Sequence, residues 1–273
     1  MLWLCRRFKM SHNVYYYWIK NSKNNTKTLN KQVILSKIEK VYHSNNGIYG
    51  YRKTRKYLAD EGIYLSPATV HKYMNKELGL KSLQRRKKRD IVNYPSHKVF
   101  NNLVKQNFDV SEANKVWCTD FTYVYLTNGS RRYNCTIIDL YDRSVVASVN
   151  SHHINAELAI ETLKQALSKN KISKHKIIVH SDQGSQFTSK AFVEFCKDHN
   201  VQQSMSRKAT PTDNAPMERY FNTLKNEYIN FHKFNSENAL YNGINNFAYV
   251  TYNHKRKHAY LNYLTPFQKR YAN

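Results

Sequence analysis

Apolar and polar residues alternate with two different periods along the chain, and the change divides it. From residue 32 to 80 the period is helical. "QVILSKIEKVY" places apolar residues at 33, 34, 35, 38 and 41, roughly one face of a helix. "YRKTRKYLADEG" stops at Gly62, a residue suited to the left-handed turn that ends helices. "LSPATVHKYMNKELGL" restarts with Ser66 as N-cap and Pro67 in the first helical position, and Gly79 closes it. Three short helices, the last two joined by a tight turn, predict a helix-turn-helix. A small helical bundle without DNA contact has the same pattern. The basic residues on the two later helices favour DNA.

From about residue 114 the pattern becomes that of strands. "KVWCTDFTYVYL" is rich in aromatic and β-branched residues, and "NGS" at 128–130 is a turn signal. "RRYNCTIIDLY" and "RSVVASVNS" predict two more strands. There follow an amphipathic helix over 155–170, the short strand "HKIIVHS", the helix "SKAFVEFCKDHN", the strand "VQQSMS", and a helix starting near Asp213 as a potential cap. A meander of three strands followed by helix, strand, helix, strand and helix predicts an α/β fold, a mixed five-stranded sheet flanked by helices. The expected organisation is 1–31, a helical piece whose polar stretch 21–31 is a linker; 32–84, the helix-turn-helix-like domain; 85–112, a basic connector; 113–230, the α/β core; and 231–273, a basic, aromatic, helical closing segment.

Charge narrows the partners. The chain of 273 residues holds 44 Lys+Arg against 19 Asp+Glu, a formal net charge of +25. Such a surplus points to a polyanion, most often nucleic acid. The run Arg85, Arg86, Lys87, Lys88, Arg89 lies between the two folded regions, where a phosphate-tracking arm is credible; as an isolated observation it is a solvated segment. Lys255 and Arg256 form a second basic cluster. The four cysteines are scattered without zinc-ligand spacing, and no apolar run is long enough for a signal peptide or a membrane span. The reading is a soluble, cytoplasmic protein with no membrane partner.

Three acids stand out against this basic background. Asp120 interrupts the first strand, Asp182 follows the fourth, and Glu218 sits in the first turns of the last helix of the core. The inferred topology makes the first and fourth strands neighbours. Clustered carboxylates repel unless cations intervene, and Mg²⁺ is held by carboxylates together with phosphate oxygens. Taken singly, each acid is an ordinary turn or helix-dipole residue. Asp139, Asp142 and Asp213 are assigned to those ordinary roles.

The spacing and the local words select the three. Thirty-five residues separate Asp182 from Glu218. With Asp120 this resembles the D,D-35-E arrangement of retroviral integrases and related transposases. "VWCTDFTYV", "HSDQGSQF", "MSRKATPTDNAPMERYFNTLKNE" and "YNHKRKHAYLNYLTPFQ" resemble the motif blocks of integrase-like OrfB transposases of bacterial insertion sequences. "GIYGYRKTRKYLADEGIYLSPATVHKYM" resembles their N-terminal segment. The resemblance spans about residues 35 to 270. It implies a ribonuclease H-like catalytic core that cuts element ends and transfers strands by 3′-OH attack, with Asp120, Asp182 and Glu218 as catalytic residues and ligands of Mg²⁺ or Mn²⁺, two ions per site. It implies Lys225 as a phosphate contact on the Glu218 face. Asn214, four residues before Glu218, is either a DNA contact or a helix cap. The implied partners are double-stranded DNA, further copies of the chain on that DNA, and an upstream-frame product, fused or associated. The sequence departs from the family pattern at Ala209, where many relatives have glycine, and at "ERYF", where Glu-Ser-Phe-Phe is common. Rival readings are a ribonuclease H-like nuclease that does not join DNA, and a DNA-binding protein without catalysis.

Overall fold

The computed structural model describes residue 7 and residues 11–83, 99–170 and 176–272, with side chains of 12 and 18–30 excepted. The run Arg85–Arg89 lies outside these described residues. The chain divides into two compact units, Met1–Gln84 and Arg85–Asn273.

In the first unit, helix α1 (His12–Ser44) is followed by α2 (Tyr51–Asp60) and α3 (Pro67–Lys72), which continues into a π turn, Tyr73–Glu77. The stretch 21–31, expected as a linker, is instead helical within α1. It contains neither glycine nor proline, and its Asn, Ser and Thr each disfavour helix by only about half a kcal/mol. A helix anchored downstream can therefore propagate through it. That anchor is a core of Ile38, Val41, Tyr42, Leu58, Val70 and Met74. The expected stops and starts occur. Gly62 and Gly79 adopt φ of +79° and +64°, and the Ser66 hydroxyl accepts from the Thr69 N–H at 3.1 Å.

The second unit is built on five strands: β1 (Val116–Tyr125), β2 (Arg131–Asp139), β3 (Val145–Ser151), β4 (Ile177–Ser181) and β5 (Val201–Met205), in the order β3-β2-β1-β4-β5. The hairpins are antiparallel, and β4 joins β1 and β5 in parallel. Helices α4 (Ala156–Lys169), α5 (Ser185–Thr188) and α6 (Lys190–Asp198) flank the sheet, as do α7 (Ala215–Glu227) and α8 (Glu237–Asn245), which runs on as a π turn, Asn246–Lys255. Alternation along β1 divides two cores. Cys118 belongs to a cluster with Met217, Tyr220 and Leu224 of α7, whereas Trp117 belongs to one with Ala159, Leu163, Phe192 and Cys196. The closing segment is part of this architecture rather than an appendage, since Leu240, Ile244, Phe247 and Tyr252 lie in the cluster with α7. It ends in α9 (Pro266–Arg270), started by a capping box between Thr265 and Gln268.

Three acids assigned to turns and caps do more than that. Asp139 and Asp142 are fully buried and both pair with Arg270, Asp139 at 2.6 Å. Asp213 is also buried and does not cap α7; it accepts from Asn102, Gln106, and the backbone and guanidinium of Arg207. Sequence shows the carboxylates but not the distant cations and amides that fold back onto them. Among the described residues, no helix is long and apolar enough to cross a membrane.

Candidate active site

The register of the parallel pair places the first two acids. Cys118 lies opposite His180. Two residues further along each chain stand Asp120, still inside β1, and Asp182, just past the end of β4. Neighbouring strands run about 4.8 Å apart, and residues of equal parity share a face. Both acids therefore belong to the face on which Cys118 meets α7. His180 fixes this end of β4: its ring, fully buried, meets the Ser204 hydroxyl at 2.8 Å and that of Ser206 at 3.1 Å. Burial lowers its pKa and favours the neutral ring.

Glu218 enters from α7. Asn214, just before that helix, donates from Nδ2 to the Thr119 carbonyl at 3.1 Å. This bond ties the helix start to the residue before Asp120. Asn214 is buried, and its side chain makes no capping hydrogen bond. Glu218 itself is exposed on the first turn. The positions 218, 222 and 225 follow helical spacing, so Asn222, which no motif singles out, lies on the same stripe as Glu218 and Lys225. A shallow concavity on this side of α7 is lined by Ala215, Glu218, Arg219 and Asn222.

The electrostatics tie the four groups together. Asp120 is half-buried. Burial raises its pKa well above the ordinary carboxylate value, and the Asp182 and Glu218 charges raise it further. The Phe121 N–H, 2.7 Å from Oδ1, and the Lys225 ammonium act the other way. Solvent reaches Asp182, yet the protein packed about it still raises its pKa, opposed by the Gly184 N–H at 2.9 Å. Among the described residues, no three His, Cys, Asp or Glu side chains stand close enough to share one ion. The donor chemistry nonetheless fits a hard divalent cation. Asp120, Asp182 and Glu218 offer only carboxylate oxygens, and the mutual repulsion felt at Asp120 is what a cation would relieve.

Two further residues shape the site. A Cβ on Gly184 would stand 2.9 Å from Asp182 Oδ1, so a larger residue there would push that carboxylate aside. Ala209 has a left-handed φ of +55° in the loop between β5 and α7. Of the basic residues expected on DNA, Lys255 is exposed. Arg256 instead meets Glu227 through two hydrogen bonds, of 2.6 and 2.7 Å, and its side chain is only 11% exposed. A carboxylate on α7 has taken up that cation.

The chain matches an integrase core domain over residues 110–211, a further integrase core domain over 199–266, and an HTH-like domain over 29–88. An uncharacterized 31 kDa protein of insertion element IS600 from Shigella sonnei is 30% identical over 272 residues, 98% of each chain. The transposase for insertion sequence element IS904 of Lactococcus lactis subsp. lactis (strain IL1403) is 33% identical over 237 residues, 86% of this chain and 92% of the other. Among solved structures, a chain of the simian T-cell lymphotropic virus intasome in complex with PP2A regulatory subunit B56 gamma aligns with a TM-score of 0.50 at 17% identity, covering 80% of this chain and 71% of that one. At that identity the likeness is one of fold, the ribonuclease H-like integrase core.

Proposed function

Because this chain belongs to the integrase-core transposases of bacterial insertion sequences, we propose that it cleaves DNA at the ends of such an element and joins the freed 3′-OH to a second phosphodiester, using Asp120, Asp182 and Glu218. The observation that carries this reading is the matched register of Asp120 and Asp182, with the charges of Glu218 and Lys225 acting on Asp120. In the first step water forms the new P–O bond and the 3′ oxygen leaves with a proton. In the second, that 3′ oxygen attacks and the 3′ oxygen of the target leaves.

The three carboxylates would hold Mg²⁺ or Mn²⁺, two ions per site, whose charge stabilises attacking and leaving oxygens in phosphodiester chemistry. Lys225 would hold a phosphate oxygen beside them. Asn214 keeps α7 against β1, so it positions Glu218 rather than reaching for DNA. Lys255 and the run Arg85–Arg89 would follow the phosphate backbone. In the first unit, the exposed His71, Lys72 and Lys76 would face double-stranded DNA. Further copies of the chain, and an upstream-frame product fused or associated, would complete the assembly.

The test is Asp182→Asn, which keeps the side chain's size and removes its charge. The variant should fold and bind DNA as well as the parent or better, and lose both cleavage and strand transfer with Mg²⁺ and with Mn²⁺. Lys225→Ala should weaken DNA engagement and leave the carboxylates in place. Gel shift and strand-transfer assays on both variants read the contrast. Near-normal strand transfer by Asp182→Asn would remove that residue from the site. Cleavage without joining by the parent would favour a nuclease.

A further inference from the structure

The outward face of the β1–β2 hairpin carries a patch that the reaction above leaves unused. Odd-numbered residues of β1 are covered by helices as far as Phe121, whose ring centre lies 4.9 Å from that of Phe187. The cover then ends. Tyr123 and Tyr125 are 37% and 47% exposed, with ring centres 5.7 Å apart. Across the hairpin Tyr125 pairs with Arg131. The Arg131 guanidinium lies 5.5 Å from the Tyr123 ring centre and 5.6 Å from that of Tyr125. Lys225 brings a second cation, 4.8 Å from the Tyr123 centre. This is the lysine whose charge also acts on Asp120. By alternation Tyr123 and Tyr125 stand on the face of β1 opposite to Asp120, and Lys225 of α7 is the side chain that reaches both.

We infer that Tyr123, Tyr125 and Arg131 form a stacking platform for unpaired DNA bases, reached across Lys225 from the phosphodiester that reacts at Asp120. Aromatic rings and guanidinium planes stack bases of any sequence, and flanking cations neutralise the backbone. Three residues of strand separate Tyr123 from Asp120, about 10 Å. A paired duplex keeps its base faces inside, so the occupant is a single-stranded or frayed end. An apolar protein surface would find two cations in its way. The inference rests on the proposed reaction for what lies at Asp120. The plainer role for such a patch is cross-strand support of the hairpin.

The experiment measures equilibrium binding by the full chain, without divalent metal, of a short oligothymidylate and of a blunt duplex of equal length. Tyr123→Leu combined with Tyr125→Leu should weaken oligothymidylate binding roughly tenfold to a hundredfold and leave duplex binding unchanged. The corresponding double Phe variant should bind both probes like the parent. Tyr125→Leu alone, at the more exposed position, should lose part of the affinity and serves if the double variant fails to fold. Equal losses on both probes, no loss on oligothymidylate, or failure of the Phe variant to restore binding would each overturn the platform. No arm requires catalysis, and Asp182→Asn protein can be used throughout. Absence of strand transfer would thus strike at the proposed reaction, whereas an unchanged oligothymidylate affinity would strike at the platform.

Discussion

Two small residues set the tolerance of the site. Gly184 has an ordinary negative φ, so its role comes from the room it leaves beside Asp182. Gly184→Ala forces the carboxylate or the turn to shift. Displacements near 1 Å at reacting groups cost on the order of a hundredfold in rate. Strand transfer should fall by about that order, with DNA affinity in a gel shift little changed. Ala209 is the converse case. Left-handed backbone costs a residue with a Cβ about 1–2 kcal/mol, and Ala209 stands at φ +55°. Ala209→Gly should stabilise the fold by somewhat less than that figure, because glycine also loosens the unfolded chain, and so raise the unfolding midpoint. Thermal melts of Ala209→Gly and Ala209→Val, expected to move in opposite directions, check it. The departure from the family pattern is visible in the sequence. Its meaning is not, because φ is no property of a residue list.

At the scale of elements, local signals are legible in the sequence and distant ones are not. Ser66 before Pro67, the aromatic and β-branched run around Asp120, and Asn155 ahead of α4 each declare their element through neighbours a few residues away. The pairing of β1 with β4 follows from strand order, and so does the approach of Asp120 to Asp182. By contrast, Asn102, Gln106 and Arg207 converge on Asp213 from up to 111 residues away, and nothing local marks them as its partners. This convergence holds the loop that leads into α7. The Arg207 guanidinium keeps the Asp213 carboxyl far below the usual range. The sign follows: the contribution is present above the unfolded value of about 3.9 and is lost as pH falls from there towards the folded value. Asp213→Asn should therefore be less stable than the parent at neutral pH, with the difference shrinking on acidification. Urea midpoints of both proteins across that range measure it.

For the whole molecule, the charge of +25 sets how it meets DNA. Log affinity should fall with log salt at about −0.9 per phosphate neutralised; a flat response would mean that the basic residues serve only solubility. The charge surplus does not reach every interior site. Burial, and then the neighbouring Asp142, push the Asp139 carboxyl up to about 6, against the pull of Arg270. The sign is opposite to that at Asp213. Asp139 favours the fold fully below about 3.9, and this contribution is lost as pH rises through 6. Its size is at most about 3 kcal/mol, because a tenfold difference in proton affinity between folded and unfolded chains is worth roughly 1.4 kcal/mol. Asp139→Asn should flatten the decline of stability between pH 4 and 6, read from the same kind of urea titration.

Arg270 also sets a timetable. Asp139 and Asp142 are made early, at the end of β2 and the turn after it, yet the cation that accompanies their burial comes 131 and 128 residues later. Removing one partner from such a buried cluster costs about 3–5 kcal/mol. A growing chain that has not yet reached residue 270 is in the position of Arg270→Ala. The helical first unit, with its own core, can fold while synthesis continues. The second unit should be less stable by about that amount until α9 emerges and its arginine docks. Arg270→Ala and the parent should therefore differ sharply in protease resistance of the second unit and little in that of the first. The strands that carry Asp120 and Asp182 thus depend on a side chain made 150 and 88 positions later.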